Sequence, residues 1–333
     1  MFLAQLINIY THLMNQIKLS LFILIISFSV AREIEYKPIP LSGLITNRKQ
    51  EISGMDLYNQ HVVLLPENLG GFLYMIPKDD IINSLDTENP IPIEPEQPAF
   101  HTPDYSKTIP GFEGFEAIAF NGNNIYVTLE AKDDKTMRGY LAWGTINPNT
   151  KEVTIPDENI LELETPIQVK NMTYESLLIH NNHIILFYEV QGINLQKSVW
   201  QYKVSLSDFS VSKIKFPNIE YRITDVSRID QKNRFWAINY FWTGDAKQVK
   251  PAPDPIAMLF KEGKTHRNSD SVERLIELEI SDDKIQLSGR EPIQLQLSEK
   301  NSRNWEAIVR IDDKGILIAT DKYPEMILGF IAF

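Results

Sequence analysis

Five segments of the chain repeat one pattern, and this repetition limits the possible folds more than any other feature of the sequence. Each segment opens on a polar or acidic residue, runs on as apolar alternation, turns through a few polar residues and returns as a second apolar run. The segments are residues 53–67, 116–130, 175–189, 225–240 and 306–321. Two such runs around a tight polar turn are typical of a β-hairpin. Hairpins that recur roughly every 50 to 80 residues leave room for a four-stranded blade and its loops. The repeats therefore predict an all-β chain folded as a five-bladed β-propeller.

The two ends of the chain predict how the ring of blades closes. The fifth repeat is followed by one further apolar run, residues 326–333, and so lacks a fourth strand. Residues 33–39 precede the first repeat and belong to no blade. We expect this N-terminal strand to complete the fifth blade, because closure hides sheet edges that otherwise invite aggregation. The interval between Asp225 and Glu306 is the longest and leaves room for a degenerate sixth blade.

Residues 1–31 have the features of a signal peptide. Lys18 precedes an apolar run, and small residues occupy positions 29–31, where a signal peptidase reads the chain. The apolar run is shorter than the ~20 residues of a membrane span, although a membrane anchor is the alternative. Met14 is an alternative start. The sequence thus predicts a secreted or periplasmic protein.

Residues 32–333 form one predicted propeller domain, interrupted by long loops near 83–110 and 243–272, where prolines and polar residues concentrate. The chain contains no cysteine, which excludes disulfides, thiolate nucleophiles and a lipid-anchored N-terminal cysteine. The net charge of −11 disfavours nucleic acid as a partner. No Gly-x-Ser-x-Gly elbow and no Gly-rich phosphate loop occurs, so no catalytic residue can be assigned.

Acidic residues recur at two positions of the repeat. The first strand of a propeller blade lines the central channel, so residues at one place in each repeat face one axis. That place holds Ser53 and four acids, and a second place, at the end of the second strand, holds Tyr240 and four more. The acids are Glu116, Glu175, Asp225 and Glu306 in the first set and Glu67, Glu130, Glu189 and Asp321 in the second. Converging carboxylates raise one another's pKa, and a hard divalent cation with oxygen ligands removes that cost. The pattern predicts a calcium site, or one for another divalent cation; ion pairs with Lys or Arg are the alternative.

The repeats also resemble those of the phytase-like and SdiA-regulated β-propeller families. The resemblance rests on residues 115–120, 305–308 and 53–56, which are similar to the Glu-Gly-Ile and Ser-Gly-Leu repeats of those families, with Ala or Ser often in place of Gly. It covers roughly residues 45–333. It implies an exported propeller, in some members with calcium in the channel. The calcium and phosphate-binding signature of true propeller phytases is missing.

Three classes of function follow from these observations. The first is a binding or structural protein of a bacterial envelope, stabilised by a channel cation, whose ligand is an unidentified small molecule or envelope component. The second is a metal-dependent hydrolase of phosphoesters or lactones, with Arg222, Arg228 or Arg303 on an anionic substrate. The third is a glycan-binding protein that uses the aromatic cluster Trp236, Tyr240, Phe241 and Trp242, for which packing between blades is the alternative.

Overall fold

The computed structural model describes residues 32–47, 49–67, 70–298 and 302–333. In this part of the chain, 23 strands form five blades around a central channel, which confirms the five-bladed β-propeller. The long interval between Asp225 and Glu306 holds loops and outer strands of blade 4, not a sixth blade. The predicted signal peptide, residues 1–31, lies outside the described residues. Within the described ranges, no helix has the length and apolar character needed to cross a membrane.

The N-terminal segment ties two blades together. Its strands are β1 (Glu33–Ile34) and β2 (Lys37–Ile39). Strand β2 pairs antiparallel with the last strand of blade 5, with Lys37 opposite Phe330, and so completes that blade as predicted. Strand β1 pairs in parallel with an outer strand of blade 4. The chain start therefore closes the ring and also links blades 4 and 5.

The blades follow the chain in order. Blade 1 contains β3 (Ile52–Tyr58), β4 (His61–Pro66) and β5 (Tyr74–Pro77), followed by helix α1 (Lys78–Asp86). Blade 2 contains β6 (Phe100–His101), helix α2 (Tyr105–Thr108), β7 (Phe112–Asn121), β8 (Asn124–Asp133), β9 (Thr136–Ile146), β10 (Val153–Thr154) and β11 (Ile160–Glu164). Blade 3 contains β12 (Tyr174–His180), β13 (His183–Tyr188), β14 (Val199–Ser205) and β15 (Val211–Phe216).

Blades 4 and 5 complete the ring. Blade 4 contains β16 (Arg222–Val226), β17 (Arg234–Phe241), helices α3 (Ala246–Val249) and α4 (Pro255–Leu259), β18 (Val272–Ile280), β19 (Ile285–Leu287) and β20 (Ile293–Leu295). Blade 5 contains β21 (Trp305–Ile311), β22 (Gly315–Thr320) and β23 (Leu328–Ala332), with β2 as its fourth strand.

The apolar core is divided among the blade interfaces. Each of five buried clusters is built mainly from two neighbouring blades, and together they run around the ring. Between blades 4 and 5, for example, Trp236 and Leu275 pack with Trp305 and Ile318. Because both faces of a blade are covered, its strands read as nearly continuous apolar runs. The rigidity of the channel wall follows from this packing.

The innermost strand of every blade contains a β-bulge. The bulge follows Ile52, Phe115, Tyr174, Ile223 and Trp305 in blades 1 to 5. A bulged residue has no partner in the strand ladder and re-aims its side chain. The same irregularity at the same place in all five blades thus sets which residues face the channel.

The loop at 243–272 is longer than any other in the described chain but is anchored to blade 4. It contains α3, α4 and two short 3-10 turns. Asp254 caps α4 by accepting from the backbone N–H of Ile256, 3.0 Å away, and its other oxygen accepts from Arg274, 2.7 Å away. Arg274 also donates to Asn239 on β17. These buried bonds hold the loop beside the channel mouth.

Candidate functional site

Four of the five inner-strand bulges direct a side chain into one cavity at the channel mouth. The residues are Ser53, Glu116, Glu175 and Glu306, from blades 1, 2, 3 and 5. Each comes directly after the bulky residue that starts the bulge and that packs between blades. The three glutamates are at most 8% exposed. The repeat position predicted from the sequence is therefore a shared position in space in these four blades.

Blade 4 differs from the other blades at this position. Its bulge contains two residues, Thr224 and Asp225. Thr224 takes the place of Ser53, because the Thr224 hydroxyl donates to the Trp305 carbonyl (2.6 Å) just as the Ser53 hydroxyl donates to the Phe115 carbonyl (2.6 Å). The Asp225 carboxylate instead accepts from the backbone N–H groups of Ile308 and Val226, both at 2.8 Å. Asp225 thus joins blade 4 to blade 5 and does not line the cavity.

The acids at the ends of the second strands converge on the same cavity. Glu67, Glu130 and Asp321 line its wall, and Tyr240 takes the corresponding place in blade 4. Backbone hydrogen bonds show that these residues occupy equivalent positions in their blades. The N–H groups of Glu67 and Asp321 donate to the carbonyls of Glu51 and Asn304, each two residues before the bulged residue of the same blade. Glu189 is fully buried behind the wall. The two predicted sets of acids are therefore neighbours.

The cavity has a volume of about 1060 Å³ and a strongly acidic lining. Eight carboxylates and three cationic side chains contribute to it. The carboxylates belong to Glu51, Glu67, Glu116, Glu130, Glu175, Asp245, Glu306 and Asp321, and the cations to Lys170, Arg222 and Lys322. Lys322 pairs with Glu51. The carboxylates outnumber the cationic side chains, so their negative charge must be reduced by protonation, by a bound cation or by Arg222.

Arg222 is the central cation of the cavity. It lies on β16 opposite Tyr240 and forms ion pairs with Glu189 of blade 3 and with Glu306 of blade 5, the latter at 3.2 Å. Asp245, in the loop of blade 4, is 3.8 Å from the same guanidinium. One arginine therefore neutralises part of both predicted sets of acids and joins three neighbouring blades through charge.

The remaining acids form a group that we call the acid side: Glu67, Glu116, Glu130 and Glu175. None of these four has an ion pair with Lys or Arg in the part of the chain that the structure describes. Glu130 accepts a hydrogen bond of 2.9 Å from the Thr173 hydroxyl. Burial, and next the charge of Glu306, raise the pKa of Glu67 to about 7. Burial, and the charge of Glu189 with it, raise the pKa of Glu130 to about 8.

The two deeper carboxyls of the acid side are perturbed further in the same direction. Burial and then the charges of Glu130 and Glu67 raise the pKa of Glu116 well above its ordinary value. Burial and then the charges of Glu189 and Glu116 do the same to the pKa of Glu175. Without a bound cation, the acid side therefore carries protons near neutral pH. Carboxyl groups in this state can donate as well as accept hydrogen bonds.

These pKa values predict an unusual pH dependence of stability in metal-free protein. A carboxyl whose pKa is higher in the folded than in the unfolded state binds more protons when folded, so its contribution falls as pH rises from about 4.5 to about 8. We expect Glu130→Gln to raise the free energy of unfolding by about 1–3 kcal/mol at about pH 9 and to change it little at about pH 5. Urea unfolding in EDTA measures both. The exposed Glu158→Gln is the control, and equal effects at both pH values would contradict the prediction.

Nearer the hairpin turns, a second ion pair spans the channel. Arg228 of blade 4 donates to both carboxylate oxygens of Asp56 in blade 1, at 2.6 and 2.8 Å. The same arginine donates to the Phe120 carbonyl of blade 2 at 3.2 Å. Asp56 in turn accepts from the Phe120 N–H at 2.7 Å. These bonds connect blades 1, 2 and 4. Arg228 is occupied by them, so Arg222 is the arginine that lines the cavity.

The structure thus brings six of the eight predicted acids to one cavity. They are Glu67, Glu116, Glu130, Glu175, Glu306 and Asp321. Glu189 lies behind the cavity on Arg222, and Asp225 is engaged by backbone N–H groups. In residues 32–47, 49–67, 70–298 and 302–333, no group of three or more His, Asp or Glu side chains is already arranged around a metal position. Whether these acids bind calcium stays a prediction.

Sequence reasoning did not identify the partners of Arg222. A signal was present, because blade 4 is the only repeat in which a tyrosine replaces the acid at the end of the second strand. Arg222 lies opposite that tyrosine. The proposed aromatic cluster is largely core: Trp236, Tyr240 and Phe241 are at most 5% exposed, whereas Trp242 is 51% exposed.

Comparison with known proteins does not identify a family. No protein-family model matches the sequence, and neither does any curated protein. Among solved structures, a thermostable family-43 glycoside hydrolase superposes with a TM-score of 0.48 at 11% identity, over 89% of this chain and 92% of that one. A glycosyl hydrolase from Bacteroides ovatus gives 0.45 at 10% identity, over 91% and 86%. The soluble aldose sugar dehydrogenase of Escherichia coli gives 0.43 at 10% identity, over 90% and 99%.

Proposed function

We propose that the channel of this propeller binds a divalent cation, calcium in the first place, at the acid side. One observation carries the proposal: four largely buried carboxyls face one cavity with no ion pair to Lys or Arg in the described part of the chain. Every ligand they offer is an oxygen atom, which suits calcium better than a softer metal. Burial and then the charges of Glu130 and Glu67 raise the pKa of Glu116. Glu67, Glu116 and Glu130 would hold the ion, with Glu175 beside them. Because these side chains are not arranged around a metal position, binding requires them to rotate.

Arg222 supports this division of labour within the cavity. Its guanidinium neutralises Glu189 and Glu306 and would repel a second cation at its own position. The acid side is farther along the ring, where the charges of Glu130 and Glu67 dominate around Glu116. Burial and then mutual repulsion keep these carboxyls protonated, and a bound cation would offset both. Binding should therefore release protons.

The test is a melting curve in EDTA, followed by added calcium, magnesium or manganese. We expect a calcium-dependent rise in Tm that grows with calcium concentration, because an ion that binds only the folded state stabilises it by mass action. Glu67→Gln with Glu116→Gln should raise the Tm in EDTA, since repulsion is relieved, and abolish the response to calcium. Glu158→Gln should leave both unchanged. Calorimetry in buffers of different ionisation enthalpy should report proton release.

The test is specific because the double variant should have a higher Tm than the unsubstituted protein in EDTA but no further rise in Tm with calcium. A general loss of stability in the double variant would lower the Tm in both solutions. If no metal shifts the Tm of the unsubstituted protein, the cation proposal is wrong, and the carboxyls of the acid side are protonated in the native protein.

Export and a role in a bacterial envelope, as a binding or structural protein, complete the proposal. They rest on residues 1–31 and on the motif resemblance to phytase-like and SdiA-regulated propellers. N-terminal sequencing of protein recovered from the periplasm or medium should begin near Arg32. Protein that keeps residues 1–31 and stays with the membrane would favour an anchor.

A second candidate function is hydrolysis of a lactone or phosphoester, and the raised carboxyl pKa values favour it. Glu67, Glu130 and Glu306, with pKa values of about 7, 8 and 8, could hold or deliver a proton near neutral pH. A bound cation would polarise the scissile oxygen. Arg303 is buried against Glu273, and the partly exposed Arg228 is paired with Asp56. Of the three arginines considered, Arg222 is the one that lines the cavity. The acidic lining therefore favours a neutral lactone, and release of hydroxy acid that disappears in Glu130→Gln would support this activity.

A further inference from the structure

Two exposed aromatic side chains stand on the rim of the acidic cavity. Trp242 follows β17 of blade 4 and is 51% exposed, and Tyr323 follows Asp321 of blade 5 and is 56% exposed. Both line the cavity. Exposed aromatic side chains grouped at the mouth of a cavity can mark a ligand-binding site. The rim thus offers two ring surfaces on neighbouring blades.

Uncharged polar side chains also line the cavity, together with charged ones such as Asp245 and Lys322. Asn171, Gln248, Ser271, Ser302 and Asn304 line the cavity with amide and hydroxyl groups that can both donate and accept. Below them, Oε2 of Glu306 is buried without a hydrogen-bond partner in the described chain, although Oε1 pairs with Arg222. A buried acceptor without a hydrogen-bond donor destabilises the folded protein. A ligand that brings hydroxyl donors into the cavity would remove that destabilisation.

The size and charge of the cavity narrow the class of ligand. At about 1060 Å³ it is at the upper end for a small-molecule site, so it has room for several linked rings. Its eight carboxylates repel anions such as uronates, phosphoesters and nucleotides. Its polar lining does not suit a wholly apolar ligand. Exposed rings pack against C–H faces, while carboxylates and amides bind hydroxyl groups.

From these observations we propose that the channel mouth binds a neutral oligosaccharide, which stacks on Trp242 and Tyr323 and directs hydroxyl groups toward Glu306 and the neighbouring amides. The saccharide site lies on blades 4 and 5, whereas the proposed cation site lies on blades 1, 2 and 3. The proposal therefore does not depend on a bound cation. Because the ligand is uncharged, its affinity should change little with salt.

The experiment measures binding of neutral pentasaccharides to the full chain by calorimetry, in EDTA and again in calcium. Cellopentaose, xylopentaose, mannopentaose and arabinopentaose are the probes, at concentrations up to millimolar. We expect at least one to bind, Trp242→Ala and Tyr323→Ala each to lower its affinity about tenfold, and Trp242→Phe to keep most of the affinity. Phe333→Ala is the matched control, because Phe333 is 50% exposed but lies beside Lys314 at a hairpin turn. Both rim residues are exposed, so all variants should keep the Tm of the unsubstituted protein.

Three outcomes would overturn the proposal. One is that no probe binds in either solution. Another is that a probe binds but neither Trp242→Ala nor Tyr323→Ala weakens it, which would place the sugar elsewhere. The third is that only spermine, an organic cation, binds at the rim, with an affinity that falls steeply with salt. A calcium response without saccharide binding would overturn this proposal alone, and saccharide binding without a calcium response would leave it standing.

Discussion

Arg222→Met is expected to lower the free energy of unfolding by about 3–5 kcal/mol at about pH 9, where Glu306 is ionised. Arg222 is the cation that contacts Glu189 and Glu306, which are 0% and 6% exposed. Its loss leaves two buried carboxylates that must either stay charged without a partner or take up protons at a cost. Methionine fills a similar volume, so the effect reports charge and not a void. Denaturant unfolding monitored by tryptophan fluorescence gives the free energy.

A double-mutant cycle tests the cause of that loss. In a Glu189→Gln, Glu306→Gln background, Arg222→Met should cost only about 1 kcal/mol, because no buried charge is left behind. The loss should also shrink as the pH falls below about 8, the pKa of Glu306, because protonation removes a charge that Arg222 neutralises. Arg310→Met is the matched control, since Arg310 is half-buried and pairs with the exposed Asp313, and it should cost less than about 1 kcal/mol. Equal costs at Arg222 and Arg310 would refute the central role of Arg222.

Removal of residues 33–39 is expected to cost most of the stability of the propeller, more than about 5 kcal/mol. Without β2, strand β23 becomes an open edge, and without β1, blade 4 loses its parallel partner to β20. The carboxylate of Glu33 also accepts from the N–H groups of Thr265 and His266, so the long loop of blade 4 would be released. We expect a chain that begins at residue 41 to aggregate through the exposed edge. Size-exclusion chromatography and unfolding curves measure both effects, and a chain that begins at residue 32 is the control.

A point variant tests the same closure without truncation. A Cβ atom at Gly329 would lie 2.7 Å from the ring of Tyr36, between β2 and β23. Tyr36 packs edge-on against Trp305, with ring centroids 5.3 Å apart. Gly329→Val should therefore lower the free energy of unfolding by about 1–3 kcal/mol. Addition of a synthetic peptide of residues 32–40 should restore soluble, folded protein to the truncated chain. If the truncated chain is monomeric and as stable as the control, the closing strand is dispensable.

The blade count and the closing strand could be predicted because both depend on the alternation of apolar residues. Every inner hairpin is buried on both faces, so its apolar runs are long enough to recognise. The outer strands were harder to predict. In blade 2, the apolar alternation at residues 151–155 indicates a single fourth strand, but the chain forms β10 (Val153–Thr154) and then β11 (Ile160–Glu164), and both pair with β9. Outer strands are short and half-exposed, so tertiary contacts decide their pairing.

The site was predicted to the extent that its residues follow the repeat. The repeat aligned Glu116, Glu175 and Glu306 correctly, because a bulge occurs at the same place in each of those blades. In blade 4 the repeat pattern matched Asp225 with the three glutamates because it is acidic. The bulge of that blade contains both Thr224 and Asp225, and the structurally equivalent residue is Thr224. Arg222 was not recognised as the counter-ion because its partners are 33 and 84 residues away in the chain. No local pattern records such contacts between blades.

The five bulges also have a consequence for how this protein could change over generations. A bulged residue forms no rung of the ladder, so its side chain can be exchanged while the strand pairing on either side stays intact. The bulged positions already hold hydroxyl groups in two blades and carboxyl groups in three. Selection could thus have altered the chemistry of each blade separately, one substitution at a time, without a change in strand pairing. The five bulged positions are therefore the places where substitutions could change the ligand specificity of the channel while the five-bladed fold stays the same.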